Sequence, residues 1–411
     1  MESYLKFIEE LSFIRCAGTA EEKRAGDIIG REIVSAGGTY EEMPFMIDTP
    51  VIEKAGMRVG DEEIPCLPYG MSGNLPEGGV TLRLRYLERG DEMDYLGLGD
   101  LSDTAVLLNT LTLDAYKLLA AHKAAAFIVM GGAYYQDMES ASLYGKNLRP
   151  TFYAHGKIPG FLITAADATR LVQEEVQQVH LTLRQREEQS ESRDLLAVIP
   201  GESEESIVLT AHYDSVPVGT GAWDNASGAA ALLGIYRSFL GTKPKRTLRF
   251  IWCGSEELGL LGSKAYIAQN ETLLPKIKFC FNFDMCGTAL GPNRIFVTGG
   301  KELEQYVRQF TRELGYSAQI LVKVHSSDSA PFADKGIPAL GLSRRTETAN
   351  IHTNWDRIAL LNEKAMVRNV DFAVKLIDRV TNAVVLPVDT GMPQDMLDAL
   401  DKYFLREKKK K

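Results

Sequence analysis

Cysteine is scarce in this sequence, and its few copies show no spacing that pairs them. The set contains no CxxC motif and is odd in number. A disulfide framework needs an even, paired set, and sparse thiols are typical of a reducing compartment. The sequence therefore argues against a disulfide-bonded protein and favours the cytoplasm. The five cysteines are Cys16, Cys66, Cys253, Cys280 and Cys286.

Segments that would direct the chain into or across a membrane are also missing. No run of about 18 apolar residues occurs, so we expect no transmembrane helix and no membrane partner. The first residues, MESYLKFIEEL, carry acids where a signal peptide would carry a basic and then an apolar stretch. Both observations again favour a cytoplasmic location.

The sequence also lacks an excess of positive charge. Lysine and arginine number 46 against 55 acidic residues, which gives a net charge of −9 and no general attraction to nucleic acid. The one strongly basic run, residues 406–411, is interrupted by Glu407 and predicts a solvated, disordered tail. With 45% hydrophobic and 25% charged residues, the 411-residue chain has an ordinary globular composition and room for two or three domains.

The sequence does contain a clear change of pattern along its length. Thr19 and Glu22 predict a capping box at the start of a helix, and Gly37 follows the end of that helix. From about residue 46, short strands dominate up to the charged stretch 186–192, which we interpret as a linker.

From residue 194 onward, strands alternate with helices. The strands are short apolar runs such as SIVLTAHYD and TLRFIWCG, which lead into the next helix. This alternation predicts an α/β sandwich with a largely buried sheet, in which ligands bind outside the carboxyl ends of the strands. Helices are predicted over about 225–240, 264–269, 301–314 and 362–382.

His212 stands at one such strand end. It follows the apolar run Ile207 to Leu209, and Asp214 lies two residues further on. Because residues two apart in an extended strand face the same way, Asp214 can accept the second ring N–H of His212 and orient it as a metal ligand. A structural histidine with satisfied hydrogen bonds is the alternative for this pair alone.

Acidic residues lie where the next helix is predicted to begin and where the next strand is predicted to end. Asp224 lies where a helix is predicted to begin, so it is either a helix N-cap or a carboxylate aimed at the end of the sheet. Glu256 and Glu257 follow the strand TLRFIWCG, and two adjacent acids there repel each other unless a positive centre is near. One can bind a metal while the other takes a proton from bound water. Two solvated loop acids are the alternative.

Two further residues complete the set. Asp284 follows the apolar strand KFCFNF, where a charge requires a partner, and a turn or helix cap is its alternative. His352 follows an irregular stretch and precedes Asp356, and a surface histidine is its alternative. Two histidines and several carboxylates supply the nitrogen and oxygen ligands that zinc accepts. Their number suits two metals bridged by Asp224, with Glu256 left to act as the base.

The motifs HYDS, GAWDNASG, EELGLLGS, NFDM and IHTNWD, in this order, resemble the M28 family of zinc peptidases. The resemblance covers about residues 195–385 and the first 45 residues, which look like the leading helices of the family. It implies a phosphorylase/hydrolase-like α/β/α sandwich with a mixed central sheet, and two zinc ions per chain. It also implies an exopeptidase, most simply an aminopeptidase, acting on a peptide substrate.

The family roles carry over to matching positions. His212 and Asp284 are expected to bind one zinc, Glu257 and His352 the other, and Asp224 both. Glu256 is expected to be the general base and proton donor. Asp214 is expected to orient His212.

The strand-rich segment resembles a protease-associated (PA) domain, which acts as a lid in related enzymes. We therefore predict three regions: a discontinuous zinc peptidase domain over 1–45 and 190–393, a smaller β-rich PA-like domain over 46–189, and a C-terminal tail over 394–411.

Alternatives to the aminopeptidase remain at this point. A carboxypeptidase of the same fold needs a basic pocket, which Arg344 and Arg345 could supply. A glutaminyl cyclase-like acyltransferase and a non-catalytic, receptor-like homologue are less well matched, because the first uses one zinc and the second loses ligands. Tyr213, His325 and Asp328 are further candidates for contact with substrate, the last two from the segment HSSDSAPF. The oligomeric state is left open.

Overall fold

The computed structural model describes residues 3–387 and 391–406. The helices are α1 (Tyr4–Leu11), α2 (Ala20–Ser35), α3 (Leu113–Ala121), α4 (Pro150–Tyr153), α5 (Ala165–Gln173), α6 (Ser227–Phe239), α7 (Leu261–Gln269), α8 (Lys301–Glu313), α9 (Ser329–Asp334), α10 (Glu363–Asn382) and α11 (Gln394–Tyr403). The strands are β1 (Glu41–Val59), β2 (Glu62–Ile64), β3 (Leu67–Pro68), β4 (Val80–Leu87), β5 (Thr104–Leu108), β6 (Ala126–Gly131), β7 (Gly160–Thr164), β8 (Gln178–Ile199), β9 (Ser203–His212), β10 (Arg246–Cys253), β11 (Ile277–Phe283), β12 (Asn293–Thr298), β13 (Ala318–Val322) and β14 (Ala339–Arg344).

The chain divides into two compact units. The main unit comprises residues 1–47 and 191–411, and the inserted unit comprises residues 48–190.

A mixed sheet forms the centre of the main unit. Its strand order is β13-β12-β14-β11-β9-β10, followed by the last residues of β8. Strands β14, β11, β9 and β10 are parallel, whereas β12 and β8 run antiparallel to their neighbours β14 and β10. The parallel strands place their carboxyl ends at one edge of the sheet, with β9 between β11 and β10.

Helices cover both faces of this sheet because its strands are apolar on both sides. Ile207 and Leu209 face a large core that also contains buried residues of α1, α2, α6, α8 and α10. The intervening Val208 faces a second core, which contains Tyr266 of α7 and Phe332 of α9. The main unit is therefore the α/β/α sandwich with a mixed sheet that the sequence predicted.

The first turn of α2 differs in one detail from the predicted capping box. Thr19 caps the helix as expected, because its hydroxyl accepts a hydrogen bond from the Glu22 amide at 3.2 Å. The Glu22 carboxylate, however, accepts from the Gly18 amide at 2.7 Å and from Ser192 and Ser255. Glu22 is thus a buried connection to the sheet rather than the second half of a capping box.

The boundary between the two units falls within residues 186–192, the predicted linker, but this stretch is a strand rather than a loop. These residues lie inside β8, which continues from Gln178 to Ile199 and pairs with β1. Their charged side chains are largely exposed, and Thr49 and Ser190 hydroxyls lie 2.9 Å apart across the two strands. Backbone pairing gives an exposed strand its order, and a polar composition does not reveal that pairing.

The region assigned to the C-terminal tail also contains regular structure. Helix α11 buries Met396 and Leu400 against Ala333 of α9. Residues 407–411, most of the basic run predicted to be disordered, lie outside the described residues.

Within the inserted unit, the strands form a mixed arrangement. Strands β4, β5, β6 and β7 are parallel, and β8 and β3 pair antiparallel with the two edges. Helices α3 and α4 cover one face, and α5 covers the other. Across the described parts of both units, every helix is too short or too polar to cross a bilayer.

Candidate metal centre

The predicted ligands converge because the sheet places their strand ends side by side. His212 is the last residue of β9 and pairs in register with Cys253, the last residue of β10. Asp284 follows β11, and Glu257 follows β10 in the turn before α7. All of these positions therefore lie at the same edge of the parallel strands.

Asp224 reaches this edge from an irregular segment, Ala222–Ala226, that precedes α6. The helix begins at Ser227 without a side-chain cap from Asp224. Instead the neighbouring Asn225 side chain accepts from the Gly228 and Met285 amides at 2.8 and 3.0 Å. The N-cap interpretation of Asp224 is thus wrong, and its carboxylate is directed towards the cluster.

Short distances connect the two histidines with the three acids. The Nε2 atom of His212 lies 3.2 Å from Asp224 Oδ1 and 3.6 Å from Asp284 Oδ1. The Nε2 atom of His352 lies 3.2 Å from Asp224 Oδ2 and 3.1 Å from Glu257 Oε2. Asp224 therefore directs one oxygen to each histidine.

The electrostatics of this cluster favour bound positive charge. Burial opposes the charged form of His352, yet hydrogen bonds with Asp224 and Glu257 raise its pKa to about 11. The pKa of His212 is likewise raised well above its usual value, because the charge of Glu256 and hydrogen bonds to Asp214 and Asp224 outweigh the effect of burial. Burial and the charge of Asp224 raise the pKa of Glu257 to about 7.

The donor set fits a metal ion. Ligand atoms of His212, Asp224 and Glu257 all lie within 4.8 Å of one another. Glu257 Oε1 and Asp284 Oδ1 are buried without a hydrogen-bond partner among the described residues. Buried carboxylate oxygens require a partner, and imidazole nitrogen with carboxylate oxygen is a set that zinc accepts.

Asp214 connects His212 with the two glutamates. Its Oδ1 atom lies 3.3 Å from His212 Nδ1 and accepts from the Glu256 amide at 2.9 Å. Its Oδ2 atom accepts from the Glu257 amide at 3.1 Å. The fully buried carboxylate therefore positions the Glu256–Glu257 segment as well as the imidazole, which the spacing of His212 and Asp214 alone did not indicate.

Glu256 lies beside the predicted ligands in a partly buried position. Burial and the charge of Glu257 raise its pKa well above the usual value, against the opposing charge of His212. A buried carboxyl group whose pKa is raised in this way is suited to the transfer of protons.

Beneath the cluster, side chains join the strands that carry His212 and Asp284. The Thr210 hydroxyl donates to Asn282 Oδ1 at 2.7 Å. The Asn282 amide donates to Ser327 Oγ at 2.9 Å. Thr210 and Asn282 each precede their ligand by two residues, so this polar chain supports both.

Asp356 was not among the residues predicted for the site. Its two carboxylate oxygens accept from the Trp223 and Asp224 amides at 2.7 and 2.9 Å. Asp356 thus ties the segment that contains Asp224 to the loop that contains His352. Its place in the motif IHTNWD was the available signal.

The residues predicted to contact substrate lie in different settings. Tyr213 is fully buried and donates to the Arg193 carbonyl at 2.7 Å, so the prediction that it contacts substrate is wrong. Arg344 already donates to Thr288 O at 2.6 Å and to Asn293 Oδ1 at 3.0 Å. Arg345 is exposed.

The segment HSSDSAPF lies close to the site. His325 stacks on Phe296 with ring centroids 4.1 Å apart, and burial lowers its pKa to about 4. Asp328 is fully buried, and burial raises its pKa to about 7. A role in substrate binding for either residue stays a prediction.

Comparison with known proteins relates this site to a peptidase family. The profile described as peptidase family M28 matches residues 194–377. Leupeptin-inactivating enzyme 1 of Streptomyces exfoliatus is 34% identical over 203 residues, which cover 43% of this chain and 46% of that protein. Aminopeptidase YwaD of Bacillus subtilis is 36% identical over 137 residues, which cover 32% of this chain and 30% of that protein. The matches thus span less than half the length of either relative.

A solved structure extends the comparison to the whole fold. The zinc aminopeptidase BSAP of Bacillus subtilis superimposes with a TM-score of 0.78 at 24% identity, covering 96% of this chain and 98% of that chain. This likeness establishes a shared fold. The profile match separately relates residues 194–377, which contain all five predicted ligands, to peptidase family M28.

Proposed function

We propose that this protein is a zinc-dependent aminopeptidase, which removes N-terminal residues from peptides by means of a metal-activated water. The observation that carries the proposal is the position of Asp224, whose two oxygens face two different histidines at 3.2 Å each. A carboxylate shared in this way suits two neighbouring cations. The names of the aminopeptidase relatives agree with this activity.

Two zinc ions per chain are proposed, in two groups of ligands. His212 with Asp284 would hold one ion, and His352 with Glu257 would hold the other. The short distances within each pair, 3.6 Å and 3.1 Å, support this grouping. Asp224 would complete both groups.

The residues around the ligands would perform the proton transfers. Bound zinc supplies a water of lowered pKa and stabilises negative charge on the substrate carbonyl oxygen. Glu256 would accept the proton from this water and return it to the leaving amine. Asp214 would hold the Glu256 amide, and so the carboxyl group, in place for both transfers.

The charge of the site favours recognition of a free amino group over a terminal carboxylate. Buried acids surround the predicted ligands, and Asp328 is a further buried acid that interacts electrostatically with His212 and Asp284. The Arg344 guanidinium, which a carboxypeptidase would need, is already bonded to protein oxygens. The acyltransferase and receptor-like alternatives fit less well, because all five predicted ligands are present and close together.

Three further assignments belong to this proposal. A cytoplasmic location is supported by the five free cysteines. The inserted unit is proposed to be a PA-like lid domain. The predicted domain limits, with a peptidase domain over 1–45 and 190–393, complete the assignment.

The test combines metal analysis with a panel of substrates. We expect about two zinc ions per purified chain, and chelator-sensitive cleavage of free-amine substrates but not of N-blocked ones. Release of residues from the carboxyl end of N-blocked peptides would instead identify a carboxypeptidase. A chain that neither binds added zinc nor cleaves any substrate would overturn the proposal.

The Glu256→Gln variant tests the role of Glu256 as a base independently of metal binding. It should keep its zinc and lose about 10²- to 10⁴-fold in kcat, the usual contribution of a general base. Glu204→Gln is the matched control, because that glutamate is 84% exposed and pairs only at the surface with Lys276. Its kcat should equal that of the unmodified protein.

A further inference from the structure

Arg15 lies in the segment between α1 and α2, outside the matched family domain, and its side chain is fully buried. Its guanidinium donates five hydrogen bonds to backbone carbonyl oxygens at 2.5 to 3.1 Å. The guanidinium thus donates to main-chain acceptors only, and the two Nη1 hydrogens are shared among the Leu11, Phe13 and Thr220 carbonyls. These acceptors belong to Leu11, Phe13, Tyr213, Thr220 and Gly221.

Three of these carbonyls come from the loop that connects His212 to Asp224. Tyr213 lies at the start of the loop, and Thr220 and Gly221 lie at its end. One side chain therefore fixes both ends of the connection between two predicted ligands.

Main-chain and packing contacts strengthen this attachment. The Arg15 amide donates to Ser215 Oγ at 3.0 Å, and the Ser215 amide donates to the Arg15 carbonyl at 3.3 Å. Gly221 has a φ of 57°, and a Cβ atom there would lie 2.9 Å from Arg15 Nη1. The guanidinium thus packs directly on the loop backbone.

The charge of Arg15 has the opposite consequence for a metal ion. The acids Asp356, Asp214 and Asp224 are close enough to stabilise the buried guanidinium. A fixed positive charge near the site repels a cation. Removing the charge alone would therefore strengthen metal binding, whereas loosening the loop would weaken it.

We propose that Arg15 is a positioning residue of the metal centre, which holds the loop between His212 and Asp224 so that these two ligands keep their relative placement. The inference rests on the proposed function in so far as that function requires zinc. We expect the hydrogen-bonding effect to exceed the charge effect, because the guanidinium contacts both ends of the loop directly.

The experiment compares zinc affinity in full-length Arg15→Lys and Arg15→Met, by competition with a chromogenic zinc chelator. Lysine keeps the charge but cannot reproduce the fork of donors, and methionine removes both. Both variants should bind zinc about 10- to 100-fold more weakly, the usual effect of losing a residue that orients metal ligands. Unchanged or tighter zinc binding in both variants would overturn the proposal.

Arg246→Met is the matched control. Arg246 is also a buried arginine of the main unit, and it donates to the Thr381 and Ala383 carbonyls at 3.2 and 2.7 Å. Its loss should lower the Tm without changing zinc affinity. An equal fall in zinc affinity in this control would show a general effect of destabilisation and would also overturn the proposal.

A milder variant keeps the test decisive if the Arg15 variants do not fold. Ser215→Ala removes the bond from the Arg15 amide together with a local bond to the Val216 carbonyl at 3.2 Å, and it should weaken zinc binding severalfold. If the unmodified protein binds zinc but cleaves no peptide, the proposed function fails while the comparison of zinc affinities still decides the role of Arg15. If it cleaves peptides and the Arg15 variants bind zinc normally, the inference about Arg15 alone fails.

Discussion

Replacing Asp214 by asparagine should reduce catalysis while leaving the fold intact. The carboxylate accepts from two backbone amides, those of Glu256 and Glu257, and faces the His212 ring. An asparagine side chain offers one oxygen, so its NH2 group must face one of these donors. One charge-assisted hydrogen bond is lost, and its removal costs about 1.5–3 kcal/mol.

If that cost falls on the placement of Glu256 in the transition state, it corresponds to a fall in kcat of about 10- to 150-fold. The assay is steady-state hydrolysis of a free-amine substrate, with zinc content and Tm measured on the same preparation. A kcat within twofold of the unmodified protein, at equal zinc content, would refute the positioning role of Asp214.

Asp194→Asn serves as the control for this experiment. Asp194 is equally buried in the main unit, but only one of its oxygens has a hydrogen-bond partner, the Gly254 amide at 3.0 Å. Asparagine can keep that bond. The variant should therefore retain its kcat.

Three more predictions follow from named contacts. Burial raises the pKa of Asp194 well above 3.8, so this residue contributes to stability below about pH 4 and loses that contribution as pH rises through the folded pKa. Asp194→Asn should therefore raise the Tm at pH 8 and lose that advantage near pH 4. An equal difference in Tm at pH 8 and pH 4 would contradict this. Gly228→Ala places a Cβ atom 2.2 Å from the Phe283 carbonyl oxygen, and this clash should lower the free energy of unfolding by about 1–3 kcal/mol in denaturant titrations. An unchanged denaturation midpoint would show that the backbones at Gly228 and Phe283 can move apart without cost. Leu400→Ala removes a buried side chain of α11 at a cost of about 2 kcal/mol, so limited proteolysis should cut the variant first within residues 391–406. If the variant resists cleavage in this segment as well as the unmodified protein does, the packing described for α11 is contradicted.

Local patterns predicted most of the main unit. The helix predicted over 301–314 is found as Lys301–Glu313, and the one over 362–382 as Glu363–Asn382. Helices depend on apolar periodicity and on capping residues, and both are local patterns that can be read directly from a single sequence.

The candidate site was predictable where an ionisable side chain directly follows a predicted strand. His212 and Asp284 each follow an apolar run, and a charged group in that position signals the edge of a sheet. The structure places these residues together, and their role as ligands stays a prediction.

Long-range contacts were not predictable from the same patterns. Asp356 bonds to the amides of Trp223 and Asp224, more than a hundred residues earlier in the chain. Arg15 contacts Thr220, in the loop before Asp224, across 205 residues of sequence. Tyr213 points into the core although its neighbour His212 faces the site. Such pairings depend on the tertiary fold, and neither spacing nor composition records them.

The polar chain from Thr210 through Asn282 to Ser327 has a consequence for the exchange of metal ions. It joins two strands beneath His212 and Asp284, whose side chains are only 2% and 5% exposed. His352 belongs instead to a loop, and its side chain is 35% exposed. With two zinc ions bound as proposed, the ion on the strand ends should leave slowly and the ion on the loop quickly. A cell that runs short of zinc would then empty the loop position first, and peptide cleavage would follow the supply of metal before the fold is affected.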